Sequence, residues 1–403
     1  MNHAARFAAA CFALALAGCF GDLASDDSPA AQTSFAFTAP LLVGGGATGE
    51  TFLAVGADGA MLACSHGMFT GPGPLWVSHD EGDHWVETIP EPNPLPDGDC
   101  DVDISPTGAW AILYDWVGGA SIAVSRDQGR SWTMNHAIAP PVTGVVDRPW
   151  FAFHGERILL SYKGIGQGPG IVVVRTSDDD GATWSTPQPV SVLSDPRLAN
   201  HIGFDFLVGA DGTVRIPLVK YDNDPSVDET FSFLVSRDRG DSWQEQPALG
   251  PLDADVLVGS AVAGDGTTLY WAWHDDAGKL LESHSLDDGA TWSEPFLIAE
   301  GEFVYTPAID GRADGTATVA WIQSGPFQAA AARLDGRLAQ PVVAIAILEG
   351  PSDTPQSAEF SALRHDAQGY ANVVYAWDPG NDSCQDLRHA ANGICVHFVR
   401  ELA

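Results

Sequence analysis

The chain has 403 residues, 45% of them apolar and 18% charged, a balance that suits a packed core rather than disorder. Its 53 Asp and Glu against 19 Lys and Arg give a formal charge of −34. That field repels phosphate backbones and anionic head groups, which excludes nucleic acid and a basic-patch membrane contact and leaves a neutral sugar, a cationic partner or a divalent cation.

From the N-terminus, Arg6 precedes an apolar run, Phe7 to Ala17, that is too short for a permanent membrane span. Leu16-Ala17-Gly18-Cys19 follows it and resembles the lipobox of bacterial lipoproteins. The resemblance implies a signal peptide over residues 1–18, cleavage before Cys19 and acylation of Cys19. Several acyl chains make a stable anchor, and residues 19–33 have the composition of a flexible tether. The expected location is therefore outside the cytoplasm, anchored to the bacterial outer membrane or cell surface, with the lipid as the sole membrane contact. An exported chain keeps its remaining cysteines oxidised. Cys384 and Cys395 are close enough in sequence for a local bridge, which leaves Cys64 with Cys100.

The next elements repeat. Ser78-His-Asp80-Glu-Gly82-Asp-His84-Trp85 recurs at Ser125 to Trp132, Ser177 to Trp184, Ser236 to Trp243 and Ser285 to Trp292. Each copy has an Asp (Asp80, Asp127, Asp179, Asp238, Asp287) that can accept backbone amides within its own loop. Each also has a Gly that permits positive φ and a Trp (Trp85, Trp132, Trp184, Trp243, Trp292) that covers the loop. Runs such as Ile171-Val-Val-Val174 precede them, so each copy is expected to be a β-hairpin turn with a structural role. The pattern resembles the Asp box, or bacterial neuraminidase repeat, of the sialidase-like superfamily. There the boxes lie on the face away from the ligand.

A second ladder runs out of phase with the boxes. Gly59, Gly108, Gly155, Gly212, Gly266, Gly315 and Gly369 each open an apolar, strand-like segment. Units of about 50 residues with three or four strands make an all-β propeller of four-stranded antiparallel blades over residues 34–403. Seven blades are expected, with the boxes in the hairpins between strands three and four; a six-bladed ring with an extra sheet is the alternative. Leu334 to Leu338 stands where the sixth box would be. The last unit lacks a strand, which Ser34 to Val43 can supply by pairing near Val396 to Val399.

The sialidase resemblance implies three arginines around the substrate carboxylate, a Tyr nucleophile paired with a Glu, and an Asp acid/base. The first arginine belongs to a Phe/Tyr-Arg-Ile-Pro motif on the opening strand, yet Phe35 to Gly46 contains no arginine. Val214-Arg215-Ile216-Pro217 falls instead on the second strand of unit four. Arg312 and Arg364 are placed just before second strands, on the face away from the ligand. Only Arg148 and Arg197 remain on the ligand face, so the triad is incomplete. The most site-like cluster is Asp147-Arg148-Pro149-Trp150, in which Trp150 can stack on a sugar ring. Asp101, Asp147 and Asp205 precede their strand-opening glycines by seven or eight residues and are expected at similar heights, as an acid for glycoside hydrolysis or as ligands of a structural Ca2+. His201, His274 and Tyr305 complete the ligand-binding candidates. The resulting reading is a monomeric, lipid-anchored sialidase-like propeller that binds glycans and, if an enzyme, acts as a glycosidase-like hydrolase or a polysaccharide lyase. The rival is an inert scaffold for an envelope protein.

Overall fold

The computed structural model describes residues 35–45, 50–66, 73–88, 90, 98–116, 119–136, 138–139, 145–165, 171–191, 200–221, 228–252, 254, 258–275, 277–303, 307–324, 327–352, 361–378 and 394–403. The signal, Cys19 and the tether lie outside them, as do Arg197, Tyr305, Cys384 and the side chain of His201. No helix among the described residues is long and apolar enough to cross a membrane.

Seven antiparallel sheets follow one another around the ring. Blades one to six open on the strands beginning at Thr51, Cys100, Val145, Asn200, Gly259 and Glu302. Blades four and six have five strands because two short segments share the innermost position, Asn200–Gly203 with Leu207–Val208 and Glu302–Phe303 with Ala308–Gly311. Blade seven takes Ala362–His365, Ala371–Trp377 and Cys395–Arg400 from one end of the chain and Leu41–Gly45 from the other. Leu41 pairs with Phe398, Leu42 with His397 and Gly44 with Val396, and an isolated bridge joins Phe37 to Glu401. The expected closing pairing is thus found, but the strand runs Leu41–Gly45, with only an isolated bridge at Phe37 from the earlier part of the expected stretch, and the ring has seven blades rather than six.

The seven strand-opening glycines all have positive φ, from 66° at Gly155 to 101° at Gly266. A residue with a β-carbon is strained in that conformation, so these positions fix where each first strand turns back into the second. The second and third strands are covered on both faces by neighbouring blades, so they read as continuous apolar runs instead of alternating ones. Trp110 and Tyr114 in blade two and Trp271 and Trp273 in blade five are fully buried. Trp271 wedges against Phe231 and Phe233 of blade four, with ring centroids 4.9 Å apart in both pairs.

The five boxes form the hairpins between third and fourth strands. In the fourth, Ser236 Oγ donates to Asp238 Oδ1 (2.8 Å), while Ser242 donates its amide to Oδ1 (2.9 Å) and its hydroxyl to Oδ2 (2.5 Å). The box glycines are left-handed, and so is the residue before each: Glu81, Gln128, Asp180, Arg239 and Asp288 have φ between 56° and 63°. At Gly82 a β-carbon would stand 2.3 Å from the Phe398 ring, so close packing adds to conformation there. The boxes share a face with the first-to-second turns: Gln128 Nε2 donates to Asp58 at 3.2 Å, and Arg126 pairs with Glu156 at 2.6 Å.

Cys64 and Cys100 form a disulfide with an S–S distance of 2.09 Å, joining the second strand of blade one to the innermost strand of blade two. Cys395 is also disulfide-bonded, and Cys384, its expected partner, lies outside the described residues.

Candidate functional site

Every blade contributes to a central cavity of about 460 Å3. Its walls are mainly apolar: Phe52, Val102, Trp150, Phe151, Phe204 and Ile309. Its charged lining is Asp103, Asp205, Asp310 and Arg364. Pro106, in the first-to-second turn of blade two, is also part of the wall, so the cavity reaches toward the box face.

Arg364 corrects the sequence reading, which put it away from any site. The innermost strand Ala362–His365 carries it into the channel, where its guanidinium pairs with Asp205 of blade four. Burial disfavours the cation there, but the charges of Asp205, Asp310, Asp101 and Asp103 outweigh burial and raise its pKa. Asp103, Asp310 and Arg364 stand five residues before Gly108, Gly315 and Gly369. That shared offset puts them at one height, and it was a signal in the sequence that went unread for Asp103 and Asp310.

The carboxylates are engaged by the backbone of the next blade. Asp101 Oδ2 accepts the Phe151 amide (2.8 Å) and Oδ1 the Val102 amide (2.8 Å). Asp103 repeats this with Phe153 (2.7 Å) and Ile104 (2.8 Å). Asp310 Oδ2 accepts the His365 amide (2.8 Å) and lies 3.0 Å from its Nδ1. Burial pushes Asp101 well above the ordinary carboxylate range, helped by the charge of Asp205. Burial likewise takes Asp103 to about 7. Asp205 is also raised by burial, although Arg364 opposes it. At Asp310 burial is outweighed by the His365 contacts and Arg364, so its pKa is lowered.

Asp147 sits near the start of the innermost strand Val145–His154, and its charge acts on Asp115. Arg148 is half-buried with φ at 48°, at the irregularity between Asp147 and Trp150. Trp150 is 5% exposed, donates its Nε1 to Gly203 O at 3.1 Å and packs edge-on against Phe52 at 5.2 Å. It walls the channel instead of presenting a free face. His274 ends the second strand of blade five, half-buried.

A second group, which includes two residues the sequence did not single out, lies at the seam of blades one and two. Glu50 and His66 are opposed across blade one, with the His66 amide donating to Glu50 O at 3.2 Å. Asp99 and Asp115 are opposed across blade two, with the Asp115 amide donating to Asp99 O at 3.0 Å. Burial and the charges of Asp99, Asp147 and Glu50 push the Asp115 carboxyl up to about 9.

The Tyr–Glu pairing that the resemblance implies has one counterpart among the described contacts, away from the channel. Tyr375 Oη donates to Glu349 Oε2 at 2.9 Å, with His397 Nδ1 at 2.7 Å from the same oxygen. Tyr375 is 1% exposed, and burial with the Glu349 charge drives its phenol well above the usual range, the opposite of nucleophile activation. Arg215, on the second strand of blade four, is fully buried and pairs with Asp288 of the next blade's box.

The family described as BNR repeat-like domain matches residues 101–316, just over half of the chain. Among solved structures, the chain is similar to the Hadza microbial sialidase Hz136, with 16% identity over 85% of this chain and 73% of that one and a TM-score of 0.50. It is also similar to the Trypanosoma rangeli sialidase solved with the inhibitor DANA, with 12% identity over 78% of this chain and 56% of that one and a TM-score of 0.51. At such identities the likeness is one of fold. No curated protein matches the chain.

Proposed function

Because this chain belongs to the BNR repeat-like domain family, we propose that it is an exported, lipid-anchored propeller that binds neutral glycans and does not process sialic acid. One observation carries the reading. Arg364 is the single arginine lining the channel cavity among the described residues, and Asp205 already neutralises it amid Asp101, Asp103 and Asp310. A sialoside brings its own carboxylate and needs unspent guanidinium forks. A neutral sugar brings hydroxyls that donate to carboxylates and a flat apolar face that suits an aromatic wall. Asp103, at about 7, is partly protonated at neutral pH and is the channel group best suited to protonate a glycosidic oxygen.

The purified full chain on a glycan array should retain neutral and not sialylated oligosaccharides. Retained sugars are then assayed for cleavage, in which Asp103→Asn should abolish turnover and spare binding. Release of free sialic acid would overturn the proposal. The scaffold reading rests on a different observation, the use of the Asp101 and Asp103 oxygens by backbone amides; an array on which nothing is retained would favour it.

The buried Cys64–Cys100 bridge supports an oxidising compartment, and Cys19 is the proposed acyl acceptor. Palmitate labelling should be lost in Cys19→Ser, with the protein moving from the membrane to the soluble fraction. The bridge spans 36 residues, so replacing both cysteines with alanine should cost about 4 kcal/mol by loop-closure entropy, read from urea unfolding.

A further inference from the structure

We propose that Glu50, His66 and Asp99 form a binding site for one divalent transition cation of the zinc type, at the seam between blades one and two.

Three ligand atoms, one imidazole nitrogen and two carboxylate oxygens, all lie within 4.8 Å of one another. His66 Nδ1 is 3.5 Å from Glu50 Oε2 and 3.5 Å from Asp99 Oδ1. Both separations are longer than an ordinary N–H···O bond. They match the spacing of ligands around a shared ion: two atoms about 2.1 Å from a tetrahedral zinc stand roughly 3.4 Å apart.

Asp115 is an independent sign of a missing partner. It is 7% exposed, and its Oδ1 is buried with no hydrogen-bond partner among the described residues. It stands across the sheet from Asp99, to which it is tied through the backbone. A buried acceptor left without a donor is costly, and a cation held beside it removes that cost. Within the cluster two carboxylates, Glu50 and Asp99, stand against one imidazole.

The ligands are held in place by the fold. Cys64 lies two residues before His66 and Cys100 one residue after Asp99, so the disulfide clamps the two blades beside the site. One imidazole with two carboxylates is a donor set for Zn2+, Mn2+ or Co2+; Ca2+ and Mg2+ prefer oxygen alone. Three protein ligands also leave a position open for water or a ligand oxygen.

The test uses the full chain, stripped with EDTA and dialysed. Co2+ should bind at one equivalent with visible d–d absorbance, Zn2+ should displace it, and an excess of Ca2+ should not. Zn2+ should raise the melting temperature of the stripped protein. His66→Gln and Asp99→Asn should each weaken Co2+ binding at least about 10-fold, whereas Asp238→Asn should leave it unchanged. Should a variant fail to fold, Cu2+ bound to the wild type still reports one nitrogen ligand in its EPR hyperfine structure. Absence of stoichiometric uptake by the wild type, a copper spectrum without nitrogen coupling, or full Co2+ affinity in a folded His66→Gln would overturn the assignment.

Discussion

The box aspartates and three aspartates of the channel, Asp101, Asp103 and Asp205, belong to overlapping sets of blades yet titrate in opposite directions. In the boxes the carboxylates face water, and donors from their own loop hold them below the ordinary range; at Asp127 the largest contribution is the Ser131 hydroxyl. In the channel Asp101 is buried and Asp103 half-buried, both accept amides from the adjacent blade, and burial drives their pKa up. A local donor in solvent stabilises the charged form without a desolvation cost. A donor reached across a blade boundary comes with that cost, and burial wins. The boxes therefore lock individual hairpins, whereas the channel groups bind neighbouring blades together.

The largest expected effect comes from removing the one cation of the channel group. Arg364→Met leaves Asp205 and its neighbours uncompensated. A fully buried pair broken in this way costs about 3–5 kcal/mol; Arg364 is 35% exposed to the channel, so a loss of about 2–3 kcal/mol in urea unfolding is expected. A variant as stable as the wild type would break the contrast between the two groups.

The pH dependence sharpens it. For Asp103 the folded pKa of about 7 lies above the usual 3.8. Its contribution is therefore fully present below about pH 4 and is lost as the pH rises through about 7. The box carboxylates have lowered values, so their contribution is present above the usual carboxylate pKa and is lost as the pH falls through the folded one. Stability should peak in mild acid, and Asp103→Asn should flatten the limb between about pH 4 and 7. The variant should cost about 1 kcal/mol at pH 4, for one lost amide acceptor, and less at pH 8. Melting curves across pH 3–9 would check both limbs.

The smallest effect belongs to a single box. Asp238→Ala removes the acceptor of three short bonds in an exposed loop and should cost about 1 kcal/mol with no change on the pH 4–7 limb. Hydrogen exchange at the Ser242 amide should quicken locally while the core strands stay protected.

The same contrast explains what could be read in advance. The boxes and the strand-opening glycines are local patterns, in which the residues that interact lie within about five positions, so the blade count was legible, and the closing strand followed from the one strand the last unit lacked. Arg364 and Asp205 meet across 159 positions, and no periodicity announces such a pair. His66 reaches Glu50 through strand register and Asp99 through the seam between blades, so neither Glu50 nor His66 stood out along the chain. Trp150 looked like a sugar platform because its sequence neighbours are charged, but its ring turns toward Phe52 and Gly203 from other blades.

The closing blade also imposes an order on assembly. Leu41–Gly45 precedes every other strand of the ring in the chain, yet its partner, Cys395–Arg400, follows all of them. Until they pair, blade seven cannot assemble and blade one keeps an uncovered flank. Leu53, Met61 and Trp76 of blade one join a cluster with Val373 and Phe398 of blade seven, so that apolar surface stays uncovered until both ends of the ring have met. Closure of the ring is thus the step that joins its two most distant strands and covers the flank of blade one.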